Sequence, residues 1–313
     1  MTKFSRHIFE RCSARRTPRQ RADFRRRMTE LFYGAGYPVS EERFGLLLHR
    51  VNFIVGDPDS ADLLVTTRLS NKPSLLLPNL KIPKHRFLHG SYRFLLCLAL
   101  GFLALFAEDA YFQLTQRFSG SLIVFFLIVL AVLLLRFFGP TLSRHANDNA
   151  SGVIAAIETL RTLSPQELES RGIAFVFFDD PPLLPRGARA FSRRHPECDD
   201  ALVIHLDSMG RGDHFLFACS RALREDAELC DAVIGAIKNH PHKSNTVSVA
   251  ERCVLPAAAR VFEKYVCVSS YSRGLFGTLT SFRDRTFLDR SLDPDNLELI
   301  GAFLENLSGG EDE

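Results

Sequence analysis

Two apolar segments constrain this chain more than any other feature. The first, 94-FLLCLALGFLALFA-107, lies between Arg93 and Glu108, and the second, 121-SLIVFFLIVLAVLLL-135, ends at Arg136. Neither carries a polar stripe, which a helix packed on the side of a soluble domain normally shows. Only the eleven residues 108-EDAYFQLTQRF-118 separate them. Extended through Gly120 and Phe138, the second segment approaches the roughly 20 residues that span a bilayer. The first is shorter, roughly 21 Å of helix at 1.5 Å per residue. It crosses if Tyr92 and Phe106 anchor at the interfaces, if Arg93 snorkels, or if the bilayer thins locally. Two buried core helices are the plainer reading. The missing polar stripe and the short connection favour a membrane hairpin over 91–140, with spans at about 92–107 and 119–138.

The flanking charges orient such a hairpin. Lys81, Lys84, Arg86 and Arg93 precede it and Arg136 and Arg144 follow, while the connection holds Glu108, Asp109 and Arg117. The excess of basic residues outside the connection places both long flanks on the cytoplasmic side. The expectation is a two-span cell-membrane protein with its remaining domain in the cytoplasm and the lipid bilayer as a partner. Seven cysteines without a CxxC pair agree with a reducing compartment. The net charge of +3 argues against a nucleic-acid partner. Basic residues concentrate instead in the N-terminal segment 1–17 and the helix after it, and no apolar core follows them, so this is no secretory signal. A short acidic tail occupies 309–313. The basic segment faces an anionic leaflet or is simply a solvated helix face.

Outside the hairpin, 18–90 and 141–308 read as two parts of one α/β domain. Candidate strands are 51–55, 62–67, 173–178, 201–206, 214–218 and 264–269, and candidate helices are 18–35, 149–163, 220–239, 250–262 and 294–307. Strand runs that are apolar on both faces, separated by helices, imply a mixed, largely parallel sheet covered on both sides. Asp148, Asn149 and Ser151 before the apolar run of 146-ANDNASGVIAAIETL-160 would suit a helix start.

One strand ends unusually. In 173-IAFVFFDDPPLLPRGARAF-191 six β-forming residues run into Asp179-Asp180 and then Pro181-Pro182. Carboxylates after a buried parallel strand often carry chemistry. Two prolines there offer neither an N–H donor nor a side-chain oxygen. The ordered series ANDNASGV, FVFFDD with LLPRGARAF, 204-IHLDSMGRGD-213 and 282-FRDRTFLDRSLDPDNLELIGAFLENL-307 resembles the di-zinc aminopeptidases of peptidase family M28. These include leucyl aminopeptidases and glutamate carboxypeptidase. The likeness extends to 35-AGYPVSEERF-44 and 51-VNFIVGDPDSADLLVTTRLS-70, so it covers nearly everything except the hairpin and the first residues.

The resemblance implies a zinc-exopeptidase-like fold with two zinc ions at the C-terminal edge of the sheet, polarising a scissile carbonyl and acidifying a water. It also implies where the ligands should stand. Asp148 and Asp207 fall at retained ligand positions. Arg68 falls at the first histidine ligand, with Ser70 where a supporting aspartate is usual. Pro181 falls at the general base, Pro182 at a glutamate ligand and Arg283 at the last histidine, the register at Arg283 being open by a residue or two. Catalytic zinc needs about three protein ligands plus water. Two carboxylates do not furnish two such sites, and each guanidinium would face a dication. At 4 Å and an effective dielectric near 20 a unit pair costs about 4 kcal/mol, roughly double for Zn²⁺. The side chains therefore imply a pseudo-peptidase with no catalytic residue and no cofactor, in which Arg68 should pair with Asp148 or Asp207. Its role would be binding or scaffolding at the membrane, with a peptide or protein partner.

The alternative is an active membrane-bound metallopeptidase using zinc on an atypical set such as Asp148, Asp207 and His205. Other constellations carry less. His145, His205 and His214 lie near the motifs, but a single histidine there is usually a hydrogen-bonded structural residue. His195 with Cys198 and His240 with His242 have ligand-like spacing without a second pair. Ser151 and Ser208 lack histidine and aspartate partners in register, and 209-MGRGDHF-215 is a turn between strands with no phosphate-cradle fingerprint.

Overall fold

The computed structural model describes residues 6, 10, 15–45, 50–72, 79–116, 118–138, 145–181, 184–274, 277–281, 284–286 and 288–309. Pro182 and Arg283, most of the basic segment and most of the acidic tail lie outside the described residues. Helix α1 (Pro18–Gly34) starts in a capping box, Thr17 accepting from the Gln20 amide and Gln20 reaching back. It buries Arg21, Phe24, Met28 and Phe32, a single stripe at helical spacing. Strands β1 (Val39–Phe44), β2 (Arg50–Val55) and β3 (Leu63–Arg68) follow. After the long helices α2 (Arg86–Thr115) and α3 (Phe118–Phe138), a π turn at Ala146–Ala150 leads into α4 (Ser151–Thr162). Then come α5 (Pro165–Ser170), β4 (Ile173–Phe178), α6 (Arg186–Arg194), β5 (Leu202–Leu206) and β6 (His214–Cys219). The chain closes with α7 (Arg221–Glu225), α8 (Ala227–Gly235), β7 (Ser244–Val249), β8 (Tyr265–Arg273), β9 (Leu279–Thr280) and α9 (Pro294–Gly309).

The strands form one mixed sheet in the order β1-β2-β4-β3-β5-β8-β6-β7, with β9 against β8. Its centre, β4-β3-β5-β8, is parallel. Strands from both sides of the long helices interleave, because β4 lies between β2 and β3. Alternation along β4 divides its side chains between two cores. Phe175 and Phe177 join α1, α4 and α9 on one face, and Ala174, Val176 and Phe178 pack with Phe191 and Phe262 on the other. Burial on both faces explains the unbroken apolar run of IAFVFF.

Several elements depart from the sequence expectation for identifiable reasons. The stretch 250–262 forms two short 3₁₀ turns, Ala250–Arg252 and Ala259–Val261, rather than a helix. Pro256 between them cannot continue a helical hydrogen-bond ladder. The region 220–239 breaks at Asp226, whose carboxylate accepts from the Leu229 amide and starts α8. Strands β1 and β7 lack an apolar run because they are the sheet edges, largely half-buried or exposed.

Helices α2 and α3 pack on each other as a pair. The connection expected at 108–118 is mostly helical, since α2 continues to Thr115 and turns at Gln116 in the left-handed region. Among the described residues α2 is the one helix long and apolar enough to cross a membrane; the apolar stretch of α3, Leu122–Leu135, is shorter. Arg86, in the first turn of α2, donates to the Glu251 carbonyl at 3.0 Å and ties the pair to the domain.

Candidate functional site

Parallel pairing brings the C-terminal ends of three central strands side by side, with Arg68 opposite Phe178 and Thr67 opposite Leu206. Arg68 ends β3, Asp179 and Asp180 follow β4, and Asp207 follows β5. The π turn and α4 sit directly on these ends. A Cβ on Gly152 would lie 2.5 Å from Thr67 Oγ1 and 2.7 Å from the Leu206 carbonyl, so only glycine permits this approach. The turn is fastened from the C-terminal loop. Asp289 accepts from the amides of Asn147 (2.7 Å) and Asp148 (3.4 Å), and Asn147 donates to Asp284 Oδ1 at 2.8 Å. Burial and the nearby charge of Asp284 raise the Asp289 carboxyl to about 6.

At the centre is a lysine that sequence reasoning had counted only among the charges flanking the hairpin. Lys81 Nζ lies 3.1 Å from Asp148 Oδ1, 2.9 Å from Asp284 Oδ2 and 3.1 Å from Ser208 Oγ. The Ser208 hydroxyl then donates to Asp207 Oδ2 at 3.3 Å. One ammonium thus joins the two carboxylates that the resemblance puts at ligand positions, contacting Asp148 directly and Asp207 through a hydroxyl. Lys81 is held by its own backbone, which exchanges hydrogen bonds with Ser281 at 2.8 and 3.0 Å. Burial disfavours its charge, but Asp284, Asp148 and Asp207 outweigh that and raise its pKa well above the ordinary lysine value.

The ion pair expected of Arg68 is present. Its Nη2 lies 3.2 Å from Asp148 Oδ2, and its Nε donates to the Ser70 carbonyl at 3.1 Å. Burial alone would push the Asp148 carboxyl upward, yet Lys81 and Arg68, with Lys72 and Arg285, hold it well below the usual carboxylate range. Asp148 is 2% exposed, so this charge survives in the interior only because cations flank both its oxygens.

The acidic pair after β4 serves two structural tasks. Asp179 is clasped by Arg21 Nε from α1 at 3.0 Å and Arg50 Nη1 from β2 at 2.9 Å. Asp180 accepts from the Gly187 and Ala188 amides at 2.6 and 3.4 Å and so caps the start of α6. Burial raises its carboxyl to about 6 despite those bonds. Pro181 follows directly.

The lone histidines have local partners. His205 is buried beside Thr66, its Nδ1 3.0 Å from the threonine hydroxyl, and burial lowers it to about 4, leaving it neutral. His214 is bonded to Thr246 and Ser244, and His195 is held between Glu42 and Asp59. Cys198 donates to the Pro58 carbonyl. His240 and His242 stand side by side, ring centroids 5.9 Å apart. Buried His145 takes a left-handed backbone at the entry to the π turn. Ser151 fastens the turn, donating to the Asn147 carbonyl and accepting from the Met209 amide.

These side chains do not fit zinc. Among the described residues no group of three or more His, Cys, Asp or Glu is arranged to hold a metal ion. The carboxylates nearest such an arrangement, Asp148 and Asp284, already face Lys81, and a dication would have to displace an ammonium beside a guanidinium that cannot lose its proton.

The sequence profile of Peptidase family M28 matches residues 137–253, a span that includes Asp148, Pro181 and Asp207. No curated protein matches the sequence. Among solved structures, glutaminyl cyclase from Porphyromonas gingivalis superimposes with a TM-score of 0.58 at 15% identity, covering 97% of this chain and 96% of that one. A Zn-dependent exopeptidase from Parabacteroides distasonis gives 0.57 at 14%, covering 97% of each chain. A leucine aminopeptidase precursor from Bacteroides thetaiotaomicron gives 0.55 at 13%, covering 99% and 95%. At these identities the likeness is one of fold, the zinc-exopeptidase-like α/β fold.

Proposed function

We propose that this M28-like protein is a non-hydrolytic binding or scaffolding protein held at a membrane by α2 and α3. One observation carries the reading. The ammonium of Lys81 lies within about 3 Å of Asp148, Asp284 and Ser208, with Arg68 on the far oxygen of Asp148. Fixed organic cations thus satisfy the carboxylates that would otherwise attract metal, and Pro181 carries no base to activate water. A polypeptide or protein is the partner expected of a cleft with this ancestry, since function follows the site rather than the fold. Anchoring is supported by the apolar side chains that the helix pair leaves exposed, among them Phe94, Phe102, Phe106 and Leu127. On this reading the connection between the two helices lies on the side opposite the domain, and the excess of basic residues in the flanks supports a cytoplasmic domain.

The test uses the full chain purified in detergent. Elemental analysis should find zinc well below one ion per chain, with neither aminopeptidase nor glutamine-cyclising activity. Stoichiometric zinc with chelator-sensitive turnover of either kind would overturn the proposal. Replacing Lys81→Ala, Arg68→His, Pro181→Glu, Pro182→Glu and Arg283→His together should create zinc affinity that the parent lacks. Flotation with phospholipid vesicles, lost on deletion of 86–138, tests the anchor.

A further inference from the structure

A second lysine sits at the same sheet edge in the opposite environment. Lys72 follows β3 and, with Arg68, Asp180, Pro181, His205 and Pro256, lines an open cleft of about 50 Å³, room for a few waters or the head of one small molecule. Its mount is rigid. Asn71 N donates to the Arg15 carbonyl, Arg15 Nε donates to the Leu69 carbonyl, Leu69 N donates to the Phe178 carbonyl, and the Ser70 hydroxyl donates to the Asp180 carbonyl. Yet its ε-amine makes no hydrogen bond or ion pair with the described residues. Lys81 is caged by carboxylates, whereas Lys72 looks into a cleft beside a guanidinium.

We propose that Lys72 is a carbonyl-reactive lysine, its amine condensing reversibly with a small aldehyde or 2-oxo acid admitted to this cleft. The nitrogen lone pair bonds to the carbonyl carbon, and the carbonyl oxygen takes up the proton that the nitrogen releases. The carbinolamine then expels water, leaving the imine, so the exchange is one carbonyl compound for one water and needs no oxidant or reductant. Asp180, on the same cleft wall, is placed to hand over the proton that the departing hydroxyl needs.

Electrostatics supports the geometry. Burial and the positive charges of Arg68 and Arg285 outweigh the attraction of Asp148 and Asp207 and lower the Lys72 amine to about 7, while Asp180 and neutral His205 complete the surroundings. A partly buried amine next to a fixed cation keeps its lone pair available near neutral pH, the condition for imine formation. The inference concerns an amine outside the carboxylate–Lys81 cluster and holds whatever the hydrolytic status of the domain.

The experiment is to incubate the full chain in detergent with glyoxylate and cyanoborohydride at pH 7 and to follow modification of each lysine by peptide mass spectrometry. Lys72 should be labelled at least about tenfold faster than exposed Lys238, and its rate should rise with a midpoint near pH 7. Lys72→Met should abolish the fast label. Equal rates at Lys72 and Lys238, or a fast label that survives in Lys72→Met, would overturn the proposal. The wild-type kinetics decide the matter even if that variant fails to fold.

Discussion

Replacing Lys81 with Met tests the central electrostatic argument, because methionine keeps much of the side-chain volume and removes the charge together with the hydrogen bonds the ammonium donates. The two carboxylates it leaves, on Asp148 and Asp284, are each 2% exposed, and Lys81 lies 3.1 and 2.9 Å from them. Arg68 continues to hold the other oxygen of Asp148, so Asp284, which still accepts from Asn147 and Ser281, is the acid left without a cation among the described residues. Removing one partner of a buried pair costs about 3–5 kcal/mol. An orphaned acid can limit that cost by binding a proton. Relative to an unfolded carboxyl near 3.9, protonation at pH 7 costs about 4 kcal/mol and at pH 5 only about 1.5 kcal/mol. The loss should therefore be about 3–4 kcal/mol at pH 7 and about 1–2 kcal/mol at pH 5. The sign follows from Asp148, whose depressed pKa contributes stability above the unfolded value, lost as pH falls through the folded one. Lys81 itself, raised above its ordinary value, stays charged throughout this range. Scanning calorimetry of the full chain should show a drop in Tm of about 6–14 °C at pH 7. Asp284→Asn in the Lys81→Met background should recover part of it. A drop below about 1 °C, or equal drops at pH 5 and pH 7, would refute the reasoning.

Gly152→Ala should destabilise the domain by about 1–3 kcal/mol in the same assay, since the new methyl meets Thr67 Oγ1 and a backbone carbonyl at under 3 Å. An unchanged Tm would show that α4 does not sit directly on the strand ends. His195 responds to pH in the opposite sense to the acids. Burial opposes its protonation, but hydrogen bonds and charges from Asp59 and Glu42 raise its pKa. Its contribution is present below the unfolded value of about 6.5 and is lost as pH rises through the higher folded value. The stability difference between wild type and His195→Gln should thus narrow from pH 6 to pH 8, and a constant difference would exclude a charged His195.

Much of the sheet was legible because burial on both faces writes a local signature. The runs at 173–178 and 215–219 are apolar throughout, and both lie inside the sheet. The edge strands β1 and β7 were not legible, since half-exposed residues such as Glu41 and Ser248 carry no such signature. The Arg68–Asp148 pair could be anticipated, because a buried guanidinium set by the resemblance next to a buried carboxylate has few other ways to be stable. Lys81 could not. It is 67 residues from Asp148 and 127 from Ser208, and nothing in its neighbours distinguishes it from a basic residue at a membrane flank. Asp179 and Asp180 looked like site carboxylates by position. Only the arrival of Arg21 from α1 and Arg50 from β2 makes the first a structural clasp.

The linear chain by itself settled the layered α/β plan and the two long apolar segments, and it set Arg68 and Pro181 beside the carboxylates Asp148 and Asp207 as the places where the resemblance expects metal chemistry. Those are properties of residue type and spacing, which hydrophobic burial reads locally. The folded arrangement alone decided which cation meets which carboxylate, and hence that one lysine is locked in its charged form while another nearby lies open in a cleft. Coulombic energy depends on separations through space and on exposure to water, and neither quantity is written in the order of the residues.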